Sequence, residues 1–337
     1  MRRRGNIGRH RVIAAGAAAA LTALLATGCA GPIAAAPSPG PTSAPTASAG
    51  ETPSPEATDA AARGISSTCD EMLADSALSE ATGSAGATEP DGLWSTAAEV
   101  AGGLVCGFDS DALSGTIVAL PADRAESLVA GAEAECAPSY DAIECIGTGA
   151  AAGMVVAVSF LAAEQTPAET DTVVRLRDAA LDAVRAADRT PLAEPAAAPP
   201  SCTDLAEIVD PSAVLRADEV FPEPIMEGDF PFDRRTVEAA DLLRACDWSE
   251  LTDSRELQVV IVPGAAGTWE EVSDRFGGTT GAIDGADAAE VQEDNRARLL
   301  VRGADALILV EGRFGDPERG VSADDLRFVA EKLLALS

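Results

Sequence analysis

Histidine is almost absent from this chain of 337 residues: the only one is His10. Nucleophilic catalysis of the Ser-His-Asp or Cys-His kind needs an imidazole base, and most transition-metal sites in extracellular proteins use imidazole as well. Lysine is as scarce. Lys332 stands alone near the C-terminus, on an amphipathic last helix, and reads as a solvated surface residue rather than a Schiff-base amine. Tyr140 is the single tyrosine, and no Cys-x-x-Cys occurs. Basic residues are outnumbered: 24 Lys and Arg stand against 55 Asp and Glu, a formal net charge of −31. Such a surface repels nucleic acid and anionic headgroups, so neither is an expected partner.

What is present begins at the N-terminus. Arg2, Arg3, Arg4, Arg9 and Arg11 precede an uncharged stretch from Val12 to Gly28. A cationic start, an apolar middle and small residues at the end are the pattern of a secretory signal. The stretch is short for a permanent span, which takes about 20 apolar residues. Leu24-Leu25-Ala26-Thr27-Gly28-Cys29 resembles a bacterial lipoprotein box. Residues 1–28 are therefore expected to be removed and Cys29 to be lipidated, with the membrane as partner through several acyl chains at about 0.8 kcal/mol per buried CH₂. The expected address is the extracytoplasmic face of the cell membrane. Cleavage removes five basic residues and the only histidine; 19 bases then face 55 acids, a net −36. Residues 29–62 are mostly Pro, Ser, Thr, Ala and Gly, with almost no large apolar group. They read as a flexible tether or as a glycosylated stalk of the same composition.

Setting Cys29 aside leaves six cysteines in an oxidising compartment: Cys69, Cys106, Cys136, Cys145, Cys202 and Cys246. Six allow 15 pairings, and an internal repeat narrows them. Thr68-Cys69-Asp70-Glu71-Met72-Leu73 is matched by Ser201-Cys202-Thr203-Asp204-Leu205, each a short helical pattern. Ser95 to Phe108 (STAAEVAGGLVCGF) is matched by Arg235 to Trp248 (RTVEAADLLRACDW), with a cysteine two residues before an aromatic. Strand-like runs follow, Thr116–Leu120 against Leu257–Val262, then short helical stretches, Ala125–Glu133 against Thr268–Phe276. Long apolar strands come next, Met154–Phe160 against Ala306–Val310. Each half closes on an amphipathic helix, Thr172–Ala187 and Ala323–Leu336, with Val173, Leu176, Ala180, Val184 and Leu326, Val329, Leu333, Leu336 at three- and four-residue steps. The expected fold class is α+β: two tandem, small sandwich-like modules, residues 63–189 and 201–337, joined by a proline-rich linker at 190–200 like beads on a string. The alternative is coincidental likeness within one larger domain. With two cysteines in the second half, Cys202–Cys246 is expected, equivalence gives Cys69–Cys106, and Cys136–Cys145 closes a hairpin-like loop. Phe108 and Trp248 are expected to pack over the disulfides.

Chemistry-bearing clusters are sparse. Asp284, Asp287, Glu290, Glu293 and Asp294 lie in a Gly- and Ala-rich stretch, but they do not match the alternating ligand spacing of an EF-hand. They read as a solvated loop, and no metal or other cofactor is expected. Phe230 and Phe232, in the charged segment GDFPFDRR, are the candidate partner contacts. The lipoprotein box, Pro/Thr tether, Cys–Leu helix and Cys-x-aromatic strand together resemble secreted actinobacterial lipoproteins of the DUF3558-like group. The residues that carry this are Cys69, Leu73, Cys106, Phe108 and Cys202, Leu205, Cys246, Trp248. The resemblance implies small α/β sandwiches at the cell surface and supplies no catalytic residue.

Three functional classes remain. A non-enzymatic binding or scaffolding module with an envelope-protein partner is the leading one, and would present flat modules with an exposed apolar patch. A hydrolase using carboxylates alone would present a deep cleft with convergent acids. A solute-binding subunit of a transporter would present an interdomain cleft with several strand crossovers.

Overall fold

The computed structural model describes residues 63–88, 92–110, 113–125, 128, 134–139, 142–162, 165–192, 194, 196–222, 232–250, 255–293, 295–313 and 321–336. Cys29, Phe230, Tyr140, Asp294 and nearly all of the helical stretch expected at Ala125–Glu133 lie outside them.

The chain is α+β, as its patterning predicts. In the first module, β1 (Arg63–Ile65), α1 (Cys69–Leu73), α2 (Ser76–Ala81), β2 (Gly86–Thr88) and α3 (Leu93–Val100) lead into β3 (Leu104–Asp109) and β4 (Ser114–Pro121). Then come β5 (Glu135–Ser139), β6 (Ala142–Ala151), β7 (Met154–Ala162), α4 (Pro167–Ala186) and β8 (Arg189–Pro191). The second module runs α5 (Cys202–Val209), α6 (Pro211–Leu215), β9 (Phe221–Pro222), α7 (Phe232–Ala239), β10 (Arg244–Glu250) and β11 (Arg255–Pro263). It continues with a 3₁₀ turn at Ala265–Thr268, α8 (Trp269–Phe276), β12 (Thr279–Ile283), β13 (Ala286–Glu293), β14 (Arg296–Arg302), β15 (Ala306–Arg313) and α9 (Ala323–Leu334).

Local rules set the helix starts. Thr68, Ser201 and Ser322 each form a capping box with the acid three residues on, Glu71, Asp204 and Asp325. Two backbone donors are thereby satisfied at each start. α4 has Thr166 as its cap and Pro167 in the first turn, where a missing N–H costs nothing. Asp210 adopts φ 55°, ends α5 and caps α6 through its own side chain.

The repeat is visible in the topology. The first sheet has the order β2-β3-β4-β7-β6-β5 and the second β9-β10-β11-β15-β14-β13-β12, antiparallel throughout. The orders coincide, with β12 added at one edge. The three disulfides join the expected residues: Cys69–Cys106, Cys136–Cys145 and Cys202–Cys246. Cys136 and Cys145 face one another directly across β5 and β6. Phe108 belongs to one buried cluster with Cys106, and Trp248 to another with Cys246.

Each sheet buries both faces. On the outer face of the first, Cys106, Phe108, Ile117, Val156, Val158 and Phe160 pack with Leu78 and with Val173, Leu176, Ala180 and Val184 of α4. On the outer face of the second, Leu257, Val259, Leu299, Ile308 and Val310 pack with Leu205 of α5 and Leu326, Val329 and Leu333 of α9. Leu336 lies beyond the end of α9 and is exposed. The intervening strand residues point the other way and form one cluster drawn from both modules: Val105, Val118, Leu120 and Val155 with Ala245, Val260, Val262, Leu300, Leu307 and Leu309.

α3 and α7 sit in this shared layer and touch each other. α3 also packs on β11 and α7 on β4, so each module lends a helix to the other's sheet. The beads-on-a-string expectation is therefore corrected: the modules are repeats that share a core. Strand residues at alternate positions must all be covered, and two sheets cover each other's inner faces. The linker is not a free spacer either. β8 pairs antiparallel with β1, and Pro199 is buried.

Candidate functional site

The strand registers bring one polar row together on the inner face of the second sheet. Asp247 on β10 faces Gln258 on β11, Gln258 faces Glu311 on β15, and Glu311 faces Arg298 on β14. Each residue continues an alternation that is apolar further along: Gln258 precedes Val260 and Val262, and Glu311 follows Leu307 and Leu309. The half-buried surface thus changes from apolar to charged within one residue pair. In the first sheet, matched through Cys106 and Cys246, the equivalent row is Gly107, Thr116, Ser159 and Ile146. The repeat supplies its own control. A row that is neutral in one module is ionic in the other.

A second asymmetry opens space above that row. Arg235, on α7, reaches across to Glu144 on β6 and makes bidentate contacts of 2.6 and 2.7 Å. The equivalent positions on the other side are Ser95, on α3, and Arg296, on β14. Ser95 is too short to span the gap, and its hydroxyl turns back to the Gly92 carbonyl at 3.1 Å. Where one side is bridged, the other has a cleft of about 430 Å³. The floor is Gln258, Arg296, Arg298, Leu300, Leu309 and Glu311; Gly92, Leu93, Trp94 and Thr96 of α3 and Val272, Arg275 and Phe276 of α8 form the walls. This volume lies within the usual range for small-molecule sites, about 300–1,000 Å³.

The electrostatics run against the rest of the chain. Among the described residues, three arginines and a single carboxylate line the cleft. That carboxylate, Glu311, is only 2% exposed and accepts from Arg296 and Arg313. Burial opposes the charge on Arg313, but the hydrogen bond and charge of Glu311, with Glu256 and Asp247 nearby, leave the guanidinium above its ordinary range. Arg298 stacks over the Phe276 ring at 5.1 Å and meets Glu293 at 3.4 Å. Arg275 meets Glu271 at 3.2 Å on the rim. Exposed pairs of this kind are worth under about 1 kcal/mol each, so a better-placed anion can displace the acid.

Three donors in the lining have no protein partner: Thr96 Oγ1, Arg296 Nε and Arg298 Nε, all buried. Buried polar atoms are nearly always paired, so three left over in one cleft call for an explanation.

None of the described residues singled out from sequence lines this cleft. Trp248 and the disulfides face outward from the inner layer. Phe232 begins α7, but its side chain is outside the described atoms. The acids expected in a solvated loop sit instead on the β12–β13 hairpin. Asp287 is paired with Arg302 and Glu293 with Arg298, because antiparallel β14 brings its arginines beside β13, and Glu290 is paired with Arg327 of α9. No group of three or more metal-ligating side chains occurs among the described residues. Lys332 is not simply solvated: its Nζ donates to the Ile208 carbonyl at 2.9 Å, near the end of α5, and lies 4.6 Å from the Phe328 ring. No helix among the described residues is long and apolar enough to cross a membrane. No protein-family model matches the chain, and no curated protein or solved structure is significantly similar to it.

Proposed function

We propose that this chain is a non-enzymatic binding protein, held at the extracytoplasmic face of the cell membrane by lipid on Cys29, whose ligand enters the cleft between the two modules. The observation that carries the reading is the asymmetry of the repeat. A neutral strand row closed by an ion-pair bridge in one half becomes an ionic row under an open cleft in the other, which packing alone does not require. A carboxylate-dependent hydrolase fits less well. Two acids must converge on a substrate for such chemistry, and the one acid lining the cleft is engaged by Arg296 and Arg313. The actinobacterial lipoprotein resemblance agrees with the surface address.

Two experiments test the reading. Cys29→Ser is expected to release the protein from the membrane or leave it unprocessed, as read by fractionation and intact mass. Unchanged retention with normal processing refutes the anchor. Photocrosslinking from position 94 on intact cells, followed by mass spectrometry, is expected to yield an adduct that an equivalent probe at Phe328, exposed on α9, does not give. Equal labelling at both positions refutes the cleft as the binding surface.

A further inference from the structure

We infer that the cleft is a receptor for an organic anion: a carboxylate or phosphate head held by Arg298, Arg296 and Thr96, with a flat apolar body lying between Trp94 and Phe276. The inference rests on the binding reading above and goes further by naming the ligand's chemistry.

Four observations converge. First, the cleft concentrates positive charge in a chain of net −31, against the general field. A cationic pocket in an acidic protein selects anions by local contacts, since the surrounding surface repels them. Second, the unpartnered atoms are all donors. Thr96 Oγ1 is on a residue 1% exposed, and the Nε atoms of Arg296 and Arg298, in the same lining, are buried. Carboxylate and phosphate oxygens accept such bonds, and guanidinium forks match their geometry. A ligand whose polar end only donates, such as an ammonium, would leave these donors unmet, and an anion adds charge attraction that a neutral acceptor lacks. Third, Trp94 on α3 and Phe276 on α8 line the same cavity from different elements. Aromatic walls favour a planar apolar body, and Arg298 already stacks on Phe276. Fourth, the equivalent row of the first sheet is Gly107, Thr116, Ser159 and Ile146, so the fold tolerates a neutral row at this place.

The test uses the full chain purified in detergent and follows tryptophan emission. Trp248 and Trp269 are buried, and a Trp94→Phe variant isolates the contribution of Trp94. Phenyl phosphate and benzoate serve as anionic probes, benzyl alcohol and benzylamine as neutral and cationic controls, and inorganic phosphate as the head alone. The anionic aromatics are expected to bind in the millimolar range normal for fragments of this size. Inorganic phosphate is expected to bind more weakly, and the controls at least tenfold more weakly. Arg298→Gln is expected to weaken phenyl phosphate tenfold or more, as loss of a bond to a charged group does. Thr96→Val should weaken it several-fold. Near-UV circular dichroism checks that each variant is folded, and Arg275→Gln, on the exposed rim, gives a second charge deletion if Arg298→Gln is not. Equal binding of benzyl alcohol and phenyl phosphate overturns the anion assignment and leaves the cleft as a binding site. No response to any probe, together with unspecific crosslinking from position 94, overturns the binding reading as well.

Discussion

Arg235 and Ser95 occupy equivalent places, yet one closes a gap between modules and the other leaves it open. The Arg235–Glu144 pair is mostly buried. Removing one partner strands the other's charge, which costs 3–5 kcal/mol in a fully dry site and less where solvent still reaches. Arg235→Ala is expected to lose about 1–3 kcal/mol, with the melting temperature falling roughly 2–4 °C for each of these in a unit of this size. Ser95→Ala removes a hydroxyl bonded only to its own helix start and should cost under about 1 kcal/mol. Equal losses in thermal unfolding would contradict the asymmetry. Lys332 offers a second residue-scale check. Lys332→Met keeps most of the stem over Phe328 but loses the bond to the Ile208 carbonyl, an expected loss of about 1 kcal/mol by urea titration. No change would mean that the lysine is solvated after all.

At the scale of elements, the disulfides differ in what they constrain. Cys69–Cys106 and Cys202–Cys246 close loops of 37 and 44 residues, while Cys136–Cys145 closes only 9. The chain-entropy treatment gives about 4 kcal/mol for each long loop and about 2.6 for the short one. Paired Cys→Ala replacements are therefore expected to rank with the hairpin bond least costly, as judged by urea midpoints; a hairpin deletion costing most would reverse the argument. α4 approaches β6 where Gly147 and Gly149 have no side chains. A Cβ at Gly149 would lie 2.9 Å from Leu181 Cδ1, and one at Gly147 3.2 Å from Val173 Cγ2. Gly149→Val should lift the helix at a cost of about 1–3 kcal/mol, visible as faster amide exchange in α4. Much at this scale was legible in the sequence. The Thr-Cys and Ser-Cys starts, the paired cysteines and the closing helices are local patterns with local causes. The second burial face was not read, although Val155–Val158 and Val259–Val262 are unbroken apolar runs, and such runs mark strands covered on both sides.

For the whole molecule, the shared inner layer predicts that neither half behaves as a soluble monomer. Residues 63–200 and 201–337 made separately would expose Val118, Leu120 and Val155, or Val260, Val262 and Leu307. Patches of that kind drive association. Size-exclusion chromatography is expected to show oligomers or aggregate for each half and recovery of a 1:1 complex on co-expression. Two well-behaved monomers would restore the beads-on-a-string reading. With no histidine among the described residues and the six described cysteines in disulfides, no described side chain of ordinary pKa titrates between about pH 6 and pH 8. Binding of benzoate, which stays fully ionised there, should accordingly be flat across that range while weakening with salt, as a titration series would record. The cleft itself could not be found from sequence. Asp247, Gln258, Glu311 and Arg298 are brought side by side only by strand register, and Thr96 and Trp94 come from the other module. The one legible hint was a charged residue, Glu311, completing the apolar run Ala306–Val310.

The reciprocal loan of helices also imposes an order in time. A chain made from its N-terminus completes the first sheet while the second is still unmade, and β1 must wait for β8 before it can pair. Throughout that interval the bare inner face of the first module has no native cover, and hydrophobic surface exposed during synthesis is where misassembly begins. Pauses in elongation near residue 200 are therefore the moment of greatest risk for this protein, and substitutions that slow the second half should lower yield without altering the finished fold.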